Sequence, residues 1–272
     1  MLIYQSIANF KQETAVPKFM LQSNLFAVSR KNETSPITEA IRPYQSKTFF
    51  AQHSGLTQYH LALTLALKRI ISKQRNMESV TFDLATLVAT MQRKEGGKTR
   101  SQILNALKTA NFELTYPVNE QPIFEGNVYK TLEENRKNHF TVELNSNYLL
   151  NMYQENAVCH IDTDTFLSLQ PGIQTWLFGF MSSLPELTEI TAKELHALSG
   201  SHYSHINDFK KSLRVALSVL QKRKIISSKH GVERDGSVHW QLLPEFKKPV
   251  DVFDFFSRSM RANINATRSY AS

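Results

Sequence analysis

Cysteine is almost absent from this 272-residue chain: Cys159 is the only one. One thiol cannot close an internal disulfide, and it cannot supply the thiolates of a structural zinc site. A disulfide-stapled scaffold is therefore excluded, and a reducing cytoplasm fits. Long apolar runs are also missing. The most apolar stretch, Leu61 to Ile71, is interrupted by Thr64, Lys68 and Arg69. It is too short and too charged to cross a bilayer. Residues 1–14 lack a basic start followed by an apolar core, so no secretory leader is expected. Acidic side chains are in deficit: 24 Asp and Glu stand against 32 Lys and Arg, a formal net charge of +8. That excess favours an anionic partner, most often nucleic acid, without identifying one.

What is present is ordinary globular material, 41% hydrophobic and 21% charged, in a chain long enough for two cores. Two segments follow one plan, the first from Val80 to Phe112 and the second from Ile190 to Ile226. Each opens on a β-type residue and a threonine (Val80-Thr81, Ile190-Thr191) and continues as a short amphipathic helix. A glycine break follows, at Gly96-Gly97 and at Gly200, and then a longer helix with a polar, basic outer face. A strand-like stretch closes each unit (Phe112 to Tyr116, Ile225 to Lys229). That order is the order of a winged helix-turn-helix. The expected fold class is α+β and helix-rich, with two tandem winged helix-turn-helix domains.

The expected division is a flexible arm at 1–50, a first domain at 51–158, a second at 159–244 and a tail at 245–272. In the first domain, Tyr59, Leu63, Leu67 and Ile70 mark one face of a helix over Leu56 to Lys73. A short helix is predicted over Asp83 to Met91, with Thr81 or Asp83 as its N-cap, and a second over Thr99 to Ala110. Phe112 to Tyr116 and His139 to Leu144 alternate as strands around a long wing, Pro117 to Lys137, and Asn145 to Tyr153 reads as a closing helix. In the second domain, Ile173, Trp176, Leu177 and Phe180 give a helix. Thr191 and Glu194 are spaced as a capping box, and a long helix is predicted from about Ser204 to Arg223. Ile225 to Lys229 and Ser237 to Leu242 flank Asp235-Gly236, a hairpin signal. Trp176, Trp240 and Cys159 read as core, and Phe246, Phe253, Phe255 and Phe256 as aromatic anchors for the tail.

Charge concentrates where a duplex would lie. Between Ser201 and Arg234 there are eight Lys or Arg residues and two acids, Asp208 and Glu233. In a helix laid in the major groove, the first turns face base edges while nearby cations neutralise phosphates. His202, Tyr203, Ser204, His205 and Asn207 are the candidate base-facing groups. Lys210, Lys211 and Arg214 are candidates for phosphate or, for Arg214, guanine, and Arg234 sits in the predicted wing. The first domain offers Lys98, Thr99, Arg100, Gln102, Asn105 and Lys108 at equivalent places. A single basic helix face is usually just a solvated one. Two in tandem, each after a glycine turn and before a wing, favour DNA.

The chain resembles the iteron-binding plasmid replication initiators, most closely the TrfA type. The resemblance spans about Leu21 to Leu242. It rests on LQSNLFAVSRKNE, LTQYHLALTLALKR, TRSQILNALKTANFELTY, HFTVELNSNYLL, PGIQTWLFGF and ELHALSGSHYSHINDFKKSLRVALSVLQKRKII. It implies two winged-helix domains that bind direct repeats at an origin, help open double-stranded origin DNA and recruit host replication proteins such as the host initiator and the replicative helicase. It also implies a monomer–dimer equilibrium and neither catalysis nor a cofactor.

Gln22-Ser23-Asn24-Leu25-Phe26 matches Q-x-x-L-F, the pentapeptide pattern that docks bacterial proteins on the sliding clamp. A docking peptide must be exposed, and so short a pattern recurs by chance; the favoured alternative packs Leu25 and Phe26 against the first domain. Enzyme signals are poor. Gly96-Gly97-Lys98-Thr99 lacks the glycine a P-loop needs at the place of Gln92. Tyr44-Gln45-Ser46-Lys47 fits the Tyr-x-x-Lys of nicking enzymes, but their metal-binding histidine pair is missing. His202 and His205 have no third ligand well placed in sequence, and Asp162 and Asp164 read as a helix-entry loop. The rival functions are a tandem winged-helix transcription regulator and, further off, a DNA-nicking enzyme.

Overall fold

The two glycine-broken segments fold into modules with one sheet topology. The structure, a computed structural model, describes residues 13–29, 37–41, 44, 49–53, 55–73, 79–110, 112–115, 129–144, 158–184 and 189–246. It begins with β1 (Glu13–Pro17), α1 (Lys18–Gln22), β2 (Ile37–Ile41), β3 (Phe49–His53) and α2 (Gln58–Lys73). The first module follows as β4 (Ser79–Asp83), α3 (Leu84–Thr90), α4 (Gly97–Thr109), β5 (Phe112–Thr115), β6 (Tyr129–Arg136) and β7 (His139–Leu144). After β8 (Val158–Asp162), α5 (Thr163–Ser168) and α6 (Ile173–Ser183), the second module comprises β9 (Ile190–Thr191), α7 (Ala192–Ser199), α8 (Ile206–Lys222), β10 (Gly231–Val232) and β11 (Ser237–His239).

The sheet of the first module runs β4-β7-β6 and that of the second β9-β11-β10. In both, the strand before the helix pair lies beside the last hairpin strand, and all pairings are antiparallel. This is a winged helix made twice. Local chemistry explains each start and stop. In β4, Val80 and Phe82 point inward opposite Val142 and Phe140, while Thr81 faces out. The Asp83 carboxylate caps α3, accepting the Thr86 amide at 2.6 Å. Thr191 and Glu194 form the reciprocal capping box of α7: Glu194 accepts the Thr191 amide at 2.8 Å and Thr191 Oγ1 accepts the Glu194 amide at 3.2 Å. Gly200 ends α7 in the left-handed region at φ +60°. Apolar stripes then bury the long helices, through Ile103, Ala106 and Leu107 on α4 and Phe209, Leu213, Ala216, Leu217 and Leu220 on α8.

Two sequence-based expectations about strands are corrected. β5 pairs with β3, with Phe112 opposite His53 and Thr115 opposite Phe50, and not with β7. The free edge of β7 is taken by β6, across a tight turn at Lys137-Asn138 where Asn138 adopts φ 63°. The wing is therefore a hairpin over 129–144, not a loop from Pro117 to Lys137. In the second module the predicted strand Ile225 to Lys229 is reduced to a bridge between Ile226 and Leu242, and β10 supplies the hairpin. The helix expected over Asn145 to Tyr153 and the tail aromatics Phe253, Phe255 and Phe256 lie outside the described residues. Phe246 does anchor, edge-on to Phe178 with ring centroids 5.9 Å apart.

Part of the N-terminal arm is built into the body of the protein. β1 pairs with β8 from Glu13–Asp162 to Pro17–Val158, and α1 packs on α6. Gln22, Leu25 and Phe26 are 5%, 0% and 1% exposed. The side chains that a sliding-clamp docking peptide would have to expose already fill this protein's core, in line with the favoured packing alternative. The segment joins the two halves. Ala27 forms a parallel bridge with Thr57 at the start of α2, and Gln58 Nε2 donates to the Phe26 carbonyl at 2.7 Å. On the other side, Trp176 Nε1 donates to the Ser23 carbonyl at 3.3 Å and the Val28 amide donates to the Ser199 carbonyl at 2.8 Å. A second tie runs through α5. Asp162 caps it through the Thr165 amide at 2.6 Å, and Asp164 receives the Arg69 guanidinium in a forked pair. Arg93 reaches the Leu169 carbonyl at 2.8 Å. The aspartates read as a loop are thus a cap and an anchor.

Replacing both Leu25 and Phe26 by alanine is expected to impair folding rather than a docking function. Each truncation should remove about 2–5 kcal/mol of unfolding free energy in urea denaturation. A stable double variant that binds origin DNA normally but has lost a clamp interaction present in the wild type would contradict the packed arrangement.

Candidate nucleic-acid interface

In the second module the approach to α8 is set by Gly200. A Cβ built at this position would lie 2.7 Å from the Ala27 Cβ and 3.1 Å from the Asn24 Cβ, so the turn and the buried N-terminal segment touch. The residues that follow divide into two groups. His202 Nδ1 shares a hydrogen bond with Ser29 Oγ at 2.5 Å, and its ring stacks on Tyr203 at 5.9 Å. Tyr203 is half-buried and meets Phe209 edge-on. Both brace the turn, with His202 still exposed at the surface. Ser204, His205 and Asn207 are exposed at the start of α8, where base-facing groups are wanted.

Along α8 the cations are held in defined places. Lys211 is exposed and pairs with Asp208 at 2.9 Å. Its ammonium holds the Asp208 carboxyl below the usual carboxylate range. Arg214 is exposed and donates to the Val232 carbonyl of β10 at 3.3 Å, which leaves further guanidinium donors. Lys210 lies over the hairpin turn, its Nζ 3.2 Å from where a Gly236 Cβ would be. Arg234 is exposed at that same turn. α8 and its wing thus gather Lys210, Lys211, Arg214 and Arg234, with Asp208, Glu233 and Asp235 among them.

In the first module Lys98, Gln102, Asn105 and Lys108 are exposed, with Ser101 among them, on the side of α4 opposite its buried stripe. Thr99 and Arg100 are half-buried, and Arg100 is paired with Glu95 ahead of the helix. The guanidinium therefore braces the glycine turn. The strand correction brings in two residues that the sequence did not single out. Arg136 and Lys137 are exposed at the tip of the β6–β7 hairpin, where a wing meets flanking phosphates. A signal was available in Lys137-Asn138, a turn dipeptide ahead of an alternating strand.

Several residues weighed in the sequence sit in packed surroundings. Tyr44 meets Phe180 edge-on at 5.8 Å, and the Cys159 Sγ is buried and donates to the Ser182 carbonyl at 3.3 Å. Trp176 and Trp240 flank Phe180 in the core. Among the described residues no group of three or more His, Cys, Asp or Glu side chains is gathered to hold a metal. No helix among them is long and apolar enough to cross a membrane.

No protein-family model matches the chain, and no curated protein matches it in sequence. Solved structures of RctB do match in shape. A selenomethionine derivative of its domains 2 and 3 aligns at a TM-score of 0.55 and 11% identity, over 86% of this chain and 98% of that one. Another structure of RctB domains 2-3 aligns at 0.51 and 12%, over 85% and 98%. The chain has a tandem winged-helix fold. At such identity the likeness is one of fold.

Two residues that position the long helices give testable consequences. Gly200→Ala is expected to lower unfolding free energy by at least about 1–3 kcal/mol, the cost of a strained left-handed residue, because the new methyl also meets Ala27. An unchanged urea midpoint would contradict that contact. His60 joins α2 to α4: its Nδ1 accepts the Thr57 amide at 3.0 Å and its Nε2 meets Thr109 Oγ1 at 3.0 Å. Burial, with a smaller push from His53, lowers this imidazole from 6.5 to about 4. Below pH 6.5 the unfolded chain takes a proton here that the folded chain refuses, so stability falls as pH drops from 6.5 toward 4. The fall should approach about 3 kcal/mol in denaturation at stepped pH, and His60→Gln should remove that part of the slope.

Proposed function

We propose that the protein is a replication initiator that grips origin DNA with two winged-helix modules. The observation that carries this reading is the repeated module: one topology made twice, each copy placing a polar, basic outer face of its long helix beside an exposed hairpin. A single such face is commonplace, but a pair in a chain of net charge +8 suits two contacts on one polyanion. The structural likeness to domains 2 and 3 of RctB, a replication initiator, supports the same role. The resemblance of the sequence to iteron-binding plasmid initiators adds the finer terms. These are direct repeats as the binding site, assistance in opening the duplex, recruitment of the host initiator and helicase, monomers as the binding form, a cytoplasmic setting and no chemistry of its own. Contact with the sliding clamp is not part of the proposal, since Gln22, Leu25 and Phe26 are buried.

On this account Ser204, His205 and Asn207 of the second module and Gln102 and Asn105 of the first face base edges, while Lys98, Lys108, Lys210, Lys211, Arg136, Lys137 and Arg234 serve phosphates. A tandem winged-helix transcription regulator would bind an operator with the same surfaces but would not distort an AT-rich neighbour. Permanganate reactivity of thymines beside the bound repeats separates the two: reactive thymines are expected for an initiator, and none for a regulator. Arg214→Ala is expected to relax specificity more than Lys210→Ala. Loss of a phosphate-binding Lys should weaken binding to all sequences and shallow the logarithmic salt slope by about one unit. Equal losses on specific and random duplexes for both variants would contradict the assignment of Arg214.

A further inference from the structure

Among the described residues two large apolar side chains are exposed, Val215 at 62% and Ile206 at 36%, and both lie on α8. Helix formation does not call for valine, which is a weaker helix former than Lys, Gln or Ala. Core packing does not call for it either, since Val215 lies away from the stripe of Phe209, Leu213, Ala216, Leu217 and Leu220. At helical steps of four, Asn207, Lys211 and Val215 share one exposed line, which Ser218 and Lys222 continue. This is the outward ridge of the long helix, flanked by Arg214 beside the wing. A β-branched side chain is stiff at χ1, so the two methyl groups are held in a fixed direction.

The surroundings say what would cover it. An apolar protein surface seated on Val215 would have to bury Lys211, Arg214 and Lys222 with it, and charged residues are depleted from the centre of protein interfaces. A duplex satisfies both kinds of group at once: phosphates take the cations, and the major groove carries one apolar feature, the C5-methyl of thymine. We propose that Val215 reads a thymine methyl in the duplex gripped by the second module. The proposal rests on the DNA-binding reading above and adds a base identity to it. Along the helix axis Val215 stands about 12 Å beyond Asn207.

The probe is a duplex selected by the full-length protein from a random-sequence pool, then remade with each thymine replaced in turn by deoxyuridine, which differs only by the missing methyl. Wild-type protein should lose about fourfold in affinity at one position, the worth of one buried methyl group. Val215→Ala should bind the thymine and uracil forms of that position equally, and Val215→Thr, which keeps one methyl, should retain part of the difference. Thermal unfolding of both variants should match the wild type, because the side chain is exposed. Indifference of the wild type to every uracil replacement would overturn the proposal, as would full uracil sensitivity in Val215→Ala. Reduced self-association of Val215→Ala in sedimentation, with the uracil response intact, would assign the side chain to a second copy of the chain instead. Selection that enriches no duplex over the random pool would overturn the DNA-binding reading itself, and this proposal with it.

Discussion

A strip of eight residues from Gln22 to Ser29, buried over most of its length, is the constraint from which the rest of the arrangement follows. Its backbone is shared. One side bonds to the start of α2 through Ala27 and Thr57, and the other to α6 and the end of α7 through Ser23 and Val28. Leu25 and Phe26 fill the space between and are all but inaccessible to solvent. Hydrogen bonds made inside such a packed layer are costly to break, since each freed amide or carbonyl would be left dry. The strip also touches the turn that launches α8, through Gly200 and through the Ser29–His202 hydrogen bond. One short segment thus ties α8 to the first module. The Arg69–Asp164 pair and the Arg93–Leu169 hydrogen bond make the same connection elsewhere.

The two modules share a topology but not a division of labour. The second concentrates its cations along α8 and its wing, and its hairpin is short, a few residues either side of Asp235-Gly236. The first has a long hairpin with Arg136 and Lys137 at its tip, and a long helix whose exposed groups are mostly uncharged: Ser101, Gln102 and Asn105 between Lys98 and Lys108. It also carries an additional sheet, β2-β3-β5. Charge gives affinity for any duplex, whereas amide and hydroxyl groups at base edges give selectivity. Both modules therefore present both kinds of group, the first with more amides and hydroxyls and the second with more cations, and Val215 is the apolar exception on α8.

What could be seen in the sequence was whatever short-range chemistry decides. The Asp83 cap, the Thr191–Glu194 box, the left-handed Gly200 and the Asp235-Gly236 turn each depend on residues a few positions apart, and each stands where its spacing placed it. The buried stripes of α4 and α8 follow from helical periodicity in the same way. Hidden features depend on residues far apart. Nothing local in Phe112 to Thr115 shows that its partner is β3, some sixty residues earlier, and nothing in Glu133-Glu134-Asn135 marks a strand. The Q-x-x-L-F pattern names side chains that suit a docking pocket or a core equally well, and only burial separates the two. Arg69 and Asp164 lie 95 positions apart, too far for charge patterning to join. Helical periodicity does set Val215 off the stripe of Phe209, Leu213, Leu217 and Leu220, but nothing local marks an outward valine as a contact.

The proposed function requires both modules to lie on one continuous duplex. Hydroxyl-radical footprinting of the protein on its selected duplex tests it most directly. Two protected backbone segments on successive helical turns are expected. Changing Lys98 and Lys108 to alanine should remove one of them, and changing Lys210 and Lys211 should remove the other. A single protected segment, or two that disappear together whichever module is altered, would contradict the claim.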